Sequence, residues 1–202
     1  INALTNNKTD FFREDVQFDF LKTQIPEILK DQSQVRIWCS ACSFGAEPYS
    51  VAFIASEVLS PADFTKIKIL ATDVNSEVLA KAQKGQFTEG ELKNLATIRR
   101  QKYFLEIAPR FYQLAFELMG KVMFSNFNLM TFDYRFEKKF DVIICRNVFI
   151  HFNLETTEKV LDMLVFNIEL KGYLILGQAE SGGLRHPKLK SLGSSIFQKV
   201  QK

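Results

Sequence analysis

The stretch RIWCSACSFGAEPYS, residues 36–50, gathers side chains that can do chemistry. Cys39 and Cys42 form a Cys-x-x-Cys, and Gly45, Glu47 and Pro48 follow it. Such a pattern serves a redox dithiol, half of a metal site, or a glycine loop opening onto a cofactor pocket. A dithiol needs its first cysteine at a helix N-terminus, where the dipole and neighbouring cations lower the thiol pKa. Here the helix cannot begin until about Pro48. If residues 35–41 are extended, Val35, Ile37, Cys39 and Ala41 face one side and Trp38, Ser40 and Cys42 the other, so the two sulfurs are expected to point apart. A structural zinc site needs a second ligand pair at short range, yet Cys145 stands inside an apolar run with only His151 nearby. No metal is expected. Cys39 and Cys145 read as small buried hydrophobes, and Cys42 as a loop residue.

The loop reading leads further. In open α/β sheets ligands sit beyond the carboxyl ends of the strands, which is where residues 42–46 fall. The loop lacks GxGxxG, so a phosphate is poorly served. Glu47 at its exit would repel a phosphate and pair with an amine. Asp73, ending the next apolar run, can accept the hydroxyls of a ribose. A cation with a ribose and no phosphate describes S-adenosylmethionine. Each acid also has a plainer reading: Glu47 as a helix N-terminal carboxylate and Asp73 as the N-cap of the next helix.

The elements needed to place these residues can be read from the pattern. RIWCSA is a buried strand, and EPYSVAFIASEVLS a helix with Val51, Ile54, Ala55 and Val58 on one face. IKILATDV is a second strand, and NSEVLAKAQKG a capped helix ending at Gly85. KVMFSNFNLM and FDVIICRNVFI read as strands, ETTEKVLDMLVFNIEL as an amphipathic helix, and GYLILGQAES as another strand. SSIFQKVQK is expected to run antiparallel at the edge. Strands alternating with helices predict an α/β fold, a mostly parallel sheet covered on both faces. Between Gly85 and Lys121 the alternation fails, and short helices with a small hairpin are expected as an inserted subdomain, residues 86–121.

Composition bounds the function classes. The chain has 202 residues, 47% hydrophobic and 24% charged, enough for one domain with a substantial core. With 26 basic and 23 acidic residues well mixed, nothing points to nucleic acid. No apolar run is long enough to span a bilayer, so membrane insertion is not expected and a cytoplasmic location is. Three cysteines are too few for a disulfide scaffold.

The runs TNNKTDFFRE, ACSFGAEPYSVA, ILATDVNSEVLAKAQKG, FSNFNL and FDVIICRNVFIHF, in this order and spacing, resemble the CheR family of chemotaxis methyltransferases. The resemblance covers residues 5–181 and implies a class I methyltransferase, Rossmann-like, with a seven-stranded sheet. It implies methylation of glutamate side chains on methyl-accepting chemotaxis receptors, with S-adenosylmethionine as methyl donor and S-adenosylhomocysteine as product. It places Asn7, Thr9 and Arg13 over the cofactor, Glu47 at its amino group and Asp73 at its ribose. Asn128 and Leu129 would flank the adenine, and Arg146 and Asn147 would line the pocket. It also implies a helical N-terminal domain, which lies outside this chain. Arg13 is expected to hold the acceptor carboxylate and His151 to shape the acceptor site; a monomer is expected.

The chain departs from the family pattern at three positions. Phe44 and Ala46 replace a small hydroxyl residue and an acid in the loop, and His151 stands for a tyrosine. The alternatives are a methyltransferase of another carboxylate or small molecule, a cofactor-binding module with little turnover, and, remotely, a thiol oxidoreductase.

Overall fold

The computed structural model describes residues 9–201. It opens with α1, Asp15–Asp31, whose buried Gln17, Phe18, Leu21 and Ile25 recur at helical spacing. The sequence pattern alone does not announce this helix, because Pro26 stands inside it. Then follow β1 (Val35–Cys39), α2 (Ala46–Val58), α3 (Pro61–Phe64), β2 (Ile67–Asp73) and α4 (Ser76–Lys84). Asn75 caps α4 by accepting from the Glu77 N–H, so the cap is Asn75 and not Asp73.

After Gly85 come β3 (Gln86–Thr88), α5 (Thr97–Tyr103), β4 (Phe104–Ala108), β5 (Phe111–Leu114) and α6 (Phe116–Met119). Their strands form a separate antiparallel sheet in the order β3-β5-β4, so the region holds three strands where a hairpin was expected. The main sheet resumes with β6 (Val122–Asn126), β7 (Phe140–Cys145), α7 (Leu154–Asn167), β8 (Ile168–Leu176), β9 (Leu189–Gly193) and β10 (Ile196–Lys199). Its seven strands run in the order β6-β2-β1-β7-β8-β10-β9. The strands from β6 to β8 are parallel, and β10 and β9 are antiparallel.

The core divides between the two faces of this sheet. On one side Val35, Ile37, Cys39, Ile69 and Ile144 pack with α1 and α2. On the other, Trp38, Ile143, Cys145 and Leu174 pack with Val160, Leu161 and Leu164 of α7. Strand alternation sends successive residues to opposite layers, and both layers are apolar.

Four expectations change. All of α2 from Ala46 to Ala55 is buried, because α1 covers the side away from the sheet, and Val58 is left partly exposed. Cys42 lies in the same apolar cluster as Cys39, because β1 ends at Cys39 and the chain turns before strand alternation can carry Cys42 to the far face. Residues 168–170, expected to continue α7, open β8 instead; Lys171 adopts a left-handed φ of 69°, and the pairing with β7 shifts register before Tyr173. At the edge, β10 is an inner strand and β9 the outer one.

Candidate active site

Parallel pairing puts Cys39, Asp73, Asn126, Cys145 and Leu176 at one edge of the sheet, since each ends its strand. The chain moves outward from β1 to β2 and β6, then returns to β7 on the other side of β1. The crevice between β1 and β7 is thus the switch point at which such sheets bind ligands.

The loop after β1 is shaped by backbone bonds. Ser40 N–H donates to Ile144 O at 2.9 Å and Cys42 N–H to Thr72 O at 2.9 Å. Gly45 has φ 95°, and a Cβ there would stand 3.0 Å from the Tyr49 ring and 3.1 Å from Ala82 Cβ. Glycine is needed for both the φ and the approach of α4. Phe44, the substituted loop position, packs against Phe87 of β3, with Lys81 5.0 Å from its ring centroid. Ala46 is fully buried.

Beyond that loop, Glu47 in the first turn of α2 turns its carboxylate inward. It is 8% exposed, and its Oε2 lies 3.5 Å from Arg146 Nη1. The Arg146 Nη2 lies 3.5 Å from Glu14 Oε2 and donates to the Arg13 carbonyl. Burial pushes Glu47 from the usual carboxylate range up to about 7; Arg146 and the Cys39 thiol pull it down, and Glu14 and Glu180 add to the rise. The thiols of Cys39, Cys42 and Cys145 are all raised, chiefly by burial. That is the opposite of what a reactive dithiol needs. Among the described residues, no cluster of three or more His, Cys, Asp or Glu is placed to hold a metal.

The carboxylate of Asp73 ties two loops together. Oδ2 accepts from Ser43 N–H at 2.9 Å and Oδ1 from Asn75 N–H at 2.9 Å. At the end of β6, Asn128 is exposed and its Oδ1 accepts from Met130 N–H at 2.9 Å. Leu129 is buried in the Trp38 cluster. Asn147 follows Arg146 with φ 59°, and His151 is exposed at the end of a short 3-10 turn, Phe149–His151. Thr9 is half-buried and Arg13 exposed. Asn7 lies outside the described residues.

The segment that carries Arg13 is pinned by its two phenylalanines. Phe11 is 2% exposed among Phe53, Phe87 and Phe104, burial worth about 2 kcal/mol. Phe12 N–H donates to Ser50 Oγ at 3.1 Å, and its ring stacks on Phe53. Gln17 Nε2 donates to Leu176 O at 2.7 Å, fixing α1 over the end of β8. Glu14, Gln17 and Glu180 are functional candidates that the sequence does not single out. Glu180 alone has a positional signal, three residues after Gly177 at the end of β8.

Three buried atoms at this edge have no hydrogen-bond partner among the described residues: Glu14 Oε2, Gln17 Oε1 and Arg146 Nε. An unpaired buried polar atom is costly, so such atoms take a partner from outside the chain, water or a ligand. The two oxygens need a donor and the guanidinium N–H needs an acceptor.

Residues 7–195 match the family model of the CheR methyltransferase, SAM binding domain. The chain is 35% identical over 189 residues to a chemotaxis protein methyltransferase of Borreliella burgdorferi, covering 90% of this chain and 66% of that protein. It is 35% identical over 200 residues to that of Escherichia coli, covering 98% and 68%. The chain thus spans about two thirds of the length of these curated relatives. Among solved structures, an rRNA methylase from Streptococcus thermophilus aligns with a TM-score of 0.51 at 11% identity, covering 92% of this chain and 95% of that one. That likeness shows the fold alone, the class I methyltransferase sheet. The residues present fit S-adenosylmethionine, whose amino-acid end carries an ammonium that can donate to Glu47 and Glu14 and a carboxylate that can accept from Arg146.

Proposed function

The chain belongs to the CheR methyltransferase family through its SAM-binding domain, and from that premise we propose that it forms methyl esters on glutamate side chains of chemoreceptor cytoplasmic regions. The observation that carries this reading is the charged group of buried Glu47 and Arg146 with partly buried Glu14 at the switch point, with polar atoms that no hydrogen bond among the described residues satisfies. Glu47 would take the amino group of S-adenosylmethionine, Asp73 the ribose, and Asn128 and Leu129 the adenine. Arg146 and Asn147 would line the pocket, with Thr9 across it; the family resemblance adds Asn7, which lies outside the described residues. Bound there, S-adenosylmethionine supplies an electrophilic sulfonium methyl.

An acceptor carboxylate is already ionised at neutral pH, so the chain need supply no strong base. Its residues act by alignment and by excluding water. Arg13 is assigned the acceptor, because a guanidinium fork matches a carboxylate and its backbone is held by Arg146 beside the pocket. His151, on the same loop as Arg146, is assigned to the acceptor rim. The three-stranded unit is read as an embellishment of this one catalytic domain. Among the described residues no helix is long and apolar enough to cross a membrane. The reading takes the chain to act on receptors from the cytoplasm, without nucleic acid and as a monomer.

The test is incubation with methyl-labelled S-adenosylmethionine and a receptor cytoplasmic fragment. Alkali-labile label on glutamate is expected. Label on free acids alone would move the substrate class, and cofactor binding without any labelling would leave a binding module. Arg13→Ala is expected to cut transfer about 100-fold, the scale of one charged contact to the reacting group, with cofactor binding retained; unchanged transfer would remove Arg13 from this role.

A further inference from the structure

We propose that Glu180 is a positioning residue that clamps the loop after β7 and so sets the geometry of Arg146 and Asn147. The inference rests on the cofactor-pocket reading above. Glu180 touches no reacting group in that reading; it acts through backbone amides. Its Oε2 accepts from Asn147 N–H at 2.7 Å and from Gly177 N–H at 2.8 Å, and its Oε1 accepts from Phe149 N–H at 2.7 Å. Three amides on one carboxylate are charge-assisted bonds, stronger than neutral ones.

What they hold is a left-handed turn. Asn147 has φ 59° directly after Arg146 and before the 3-10 turn that carries His151. Asparagine tolerates this region better than most residues, so the three bonds select the turn among the conformations open to it. The Gly177 position is part of the same device. A Cβ at Gly177 would fall 2.5 Å from Glu180 Oε2 and 3.2 Å from Asn147 N. The carboxylate thus fills the space that a side chain at the end of β8 would take, and ties β8 to the loop after β7.

Two variants break the clamp in different ways. Glu180→Gln replaces one acceptor oxygen by a donor, so at least one of the three amides loses its partner while the charge disappears. Gly177→Ala keeps the charge and displaces the carboxylate. Amide hydrogen exchange, calorimetry with S-adenosylmethionine and thermal melts are measured on wild type and both variants. In both variants faster exchange at Asn147 and Phe149 is expected, with cofactor affinity about 10-fold lower, the scale of one lost charge-assisted bond.

The pH profile separates positioning from plain structural support. Glu47 is faced by Arg146, Cys39, Glu14 and Glu180. Removing the Glu180 charge should move the acid limb of cofactor binding to lower pH in Glu180→Gln, and Gly177→Ala should leave it nearer the wild-type position. Wild-type exchange at Asn147 and Phe149 with unchanged affinity in a folded Glu180→Gln would overturn the proposal. So would a lowered melting temperature with affinity and pH profile unmoved. Failure of wild type itself to bind S-adenosylmethionine would instead overturn the pocket reading, and the exchange data would still show whether the clamp exists.

Discussion

The two edges of the main sheet differ in how their buried polar groups are partnered. At the amino edge a groove is lined by Gln32, Arg36, Lys139, Asp141 and Glu169. There Asp141 accepts from Arg36 N–H at 2.8 Å, and Arg36 Nε donates to Lys139 O at 3.1 Å. At the carboxyl edge Arg146 stands between Glu47 and Glu14 at 3.5 Å from each, and buried atoms of Arg146, Glu14 and Gln17 lack hydrogen bonds among the described residues. Each edge has an arginine and acids, so charge alone does not mark the site. Concavity does not mark it either. What separates them is whether the protein itself satisfies the buried polar groups, because those it leaves without a hydrogen bond must be paired by water or by a ligand.

The largest expected effect pits the two arginines against each other. Arg146→Met strands the buried Glu47 and the partly buried Glu14 and is expected to cost about 3–5 kcal/mol in urea unfolding, with cofactor binding lost. Arg36→Met at the half-buried amino edge is expected to cost about 1 kcal/mol or less and to leave cofactor affinity unchanged. Equal costs at the two edges would dissolve the contrast.

A smaller effect lies in pH. Burial raises Glu47 from 4.5 to about 7, so between those values the folded chain binds more protons than the unfolded one. Its contribution to stability therefore falls as pH rises from 4.5 through 7. Melting curves of the ligand-free chain across this window should show that decline, and Glu47→Gln should flatten it. Bound cofactor should oppose the decline by favouring the ionised carboxylate. The smallest effect belongs to Asp141→Asn, where an amide oxygen can still accept from Arg36 N–H; stability is expected to move by about 1 kcal/mol or less and cofactor affinity not at all.

The edge that matters was legible in the sequence to the extent that strands were. RIWC, IKILATD and FDVIIC are apolar runs because both faces of β1, β2 and β7 are covered, and their ends located Glu47, Asp73, Arg146 and Asn147. Less was legible where burial is partial. β9, with mostly exposed residues, carries no hydrophobic signature, so β10 was mistaken for the edge. The α7 to β8 boundary was blurred because Ile168 suits either element. The placing of the two sulfurs failed for a local reason: alternation holds only while the chain is extended, and β1 stops at Cys39. Glu14 and Glu180 escaped notice because a carboxylate that works through a guanidinium or backbone amides needs no motif. Phe44, a departure from the family loop, is explained by packing on Phe87 of the three-stranded unit.

Titration calorimetry with S-adenosylmethionine and S-adenosylhomocysteine, on wild type and Glu47→Gln at pH 8, tests the central claim most directly. One-to-one binding of both ligands to wild type is expected, with S-adenosylmethionine bound about 100-fold more weakly by a folded Glu47→Gln, the scale of a lost charged hydrogen bond. Equal affinity of the two proteins, or no binding to wild type, would contradict the assignment of the carboxyl edge as the cofactor site.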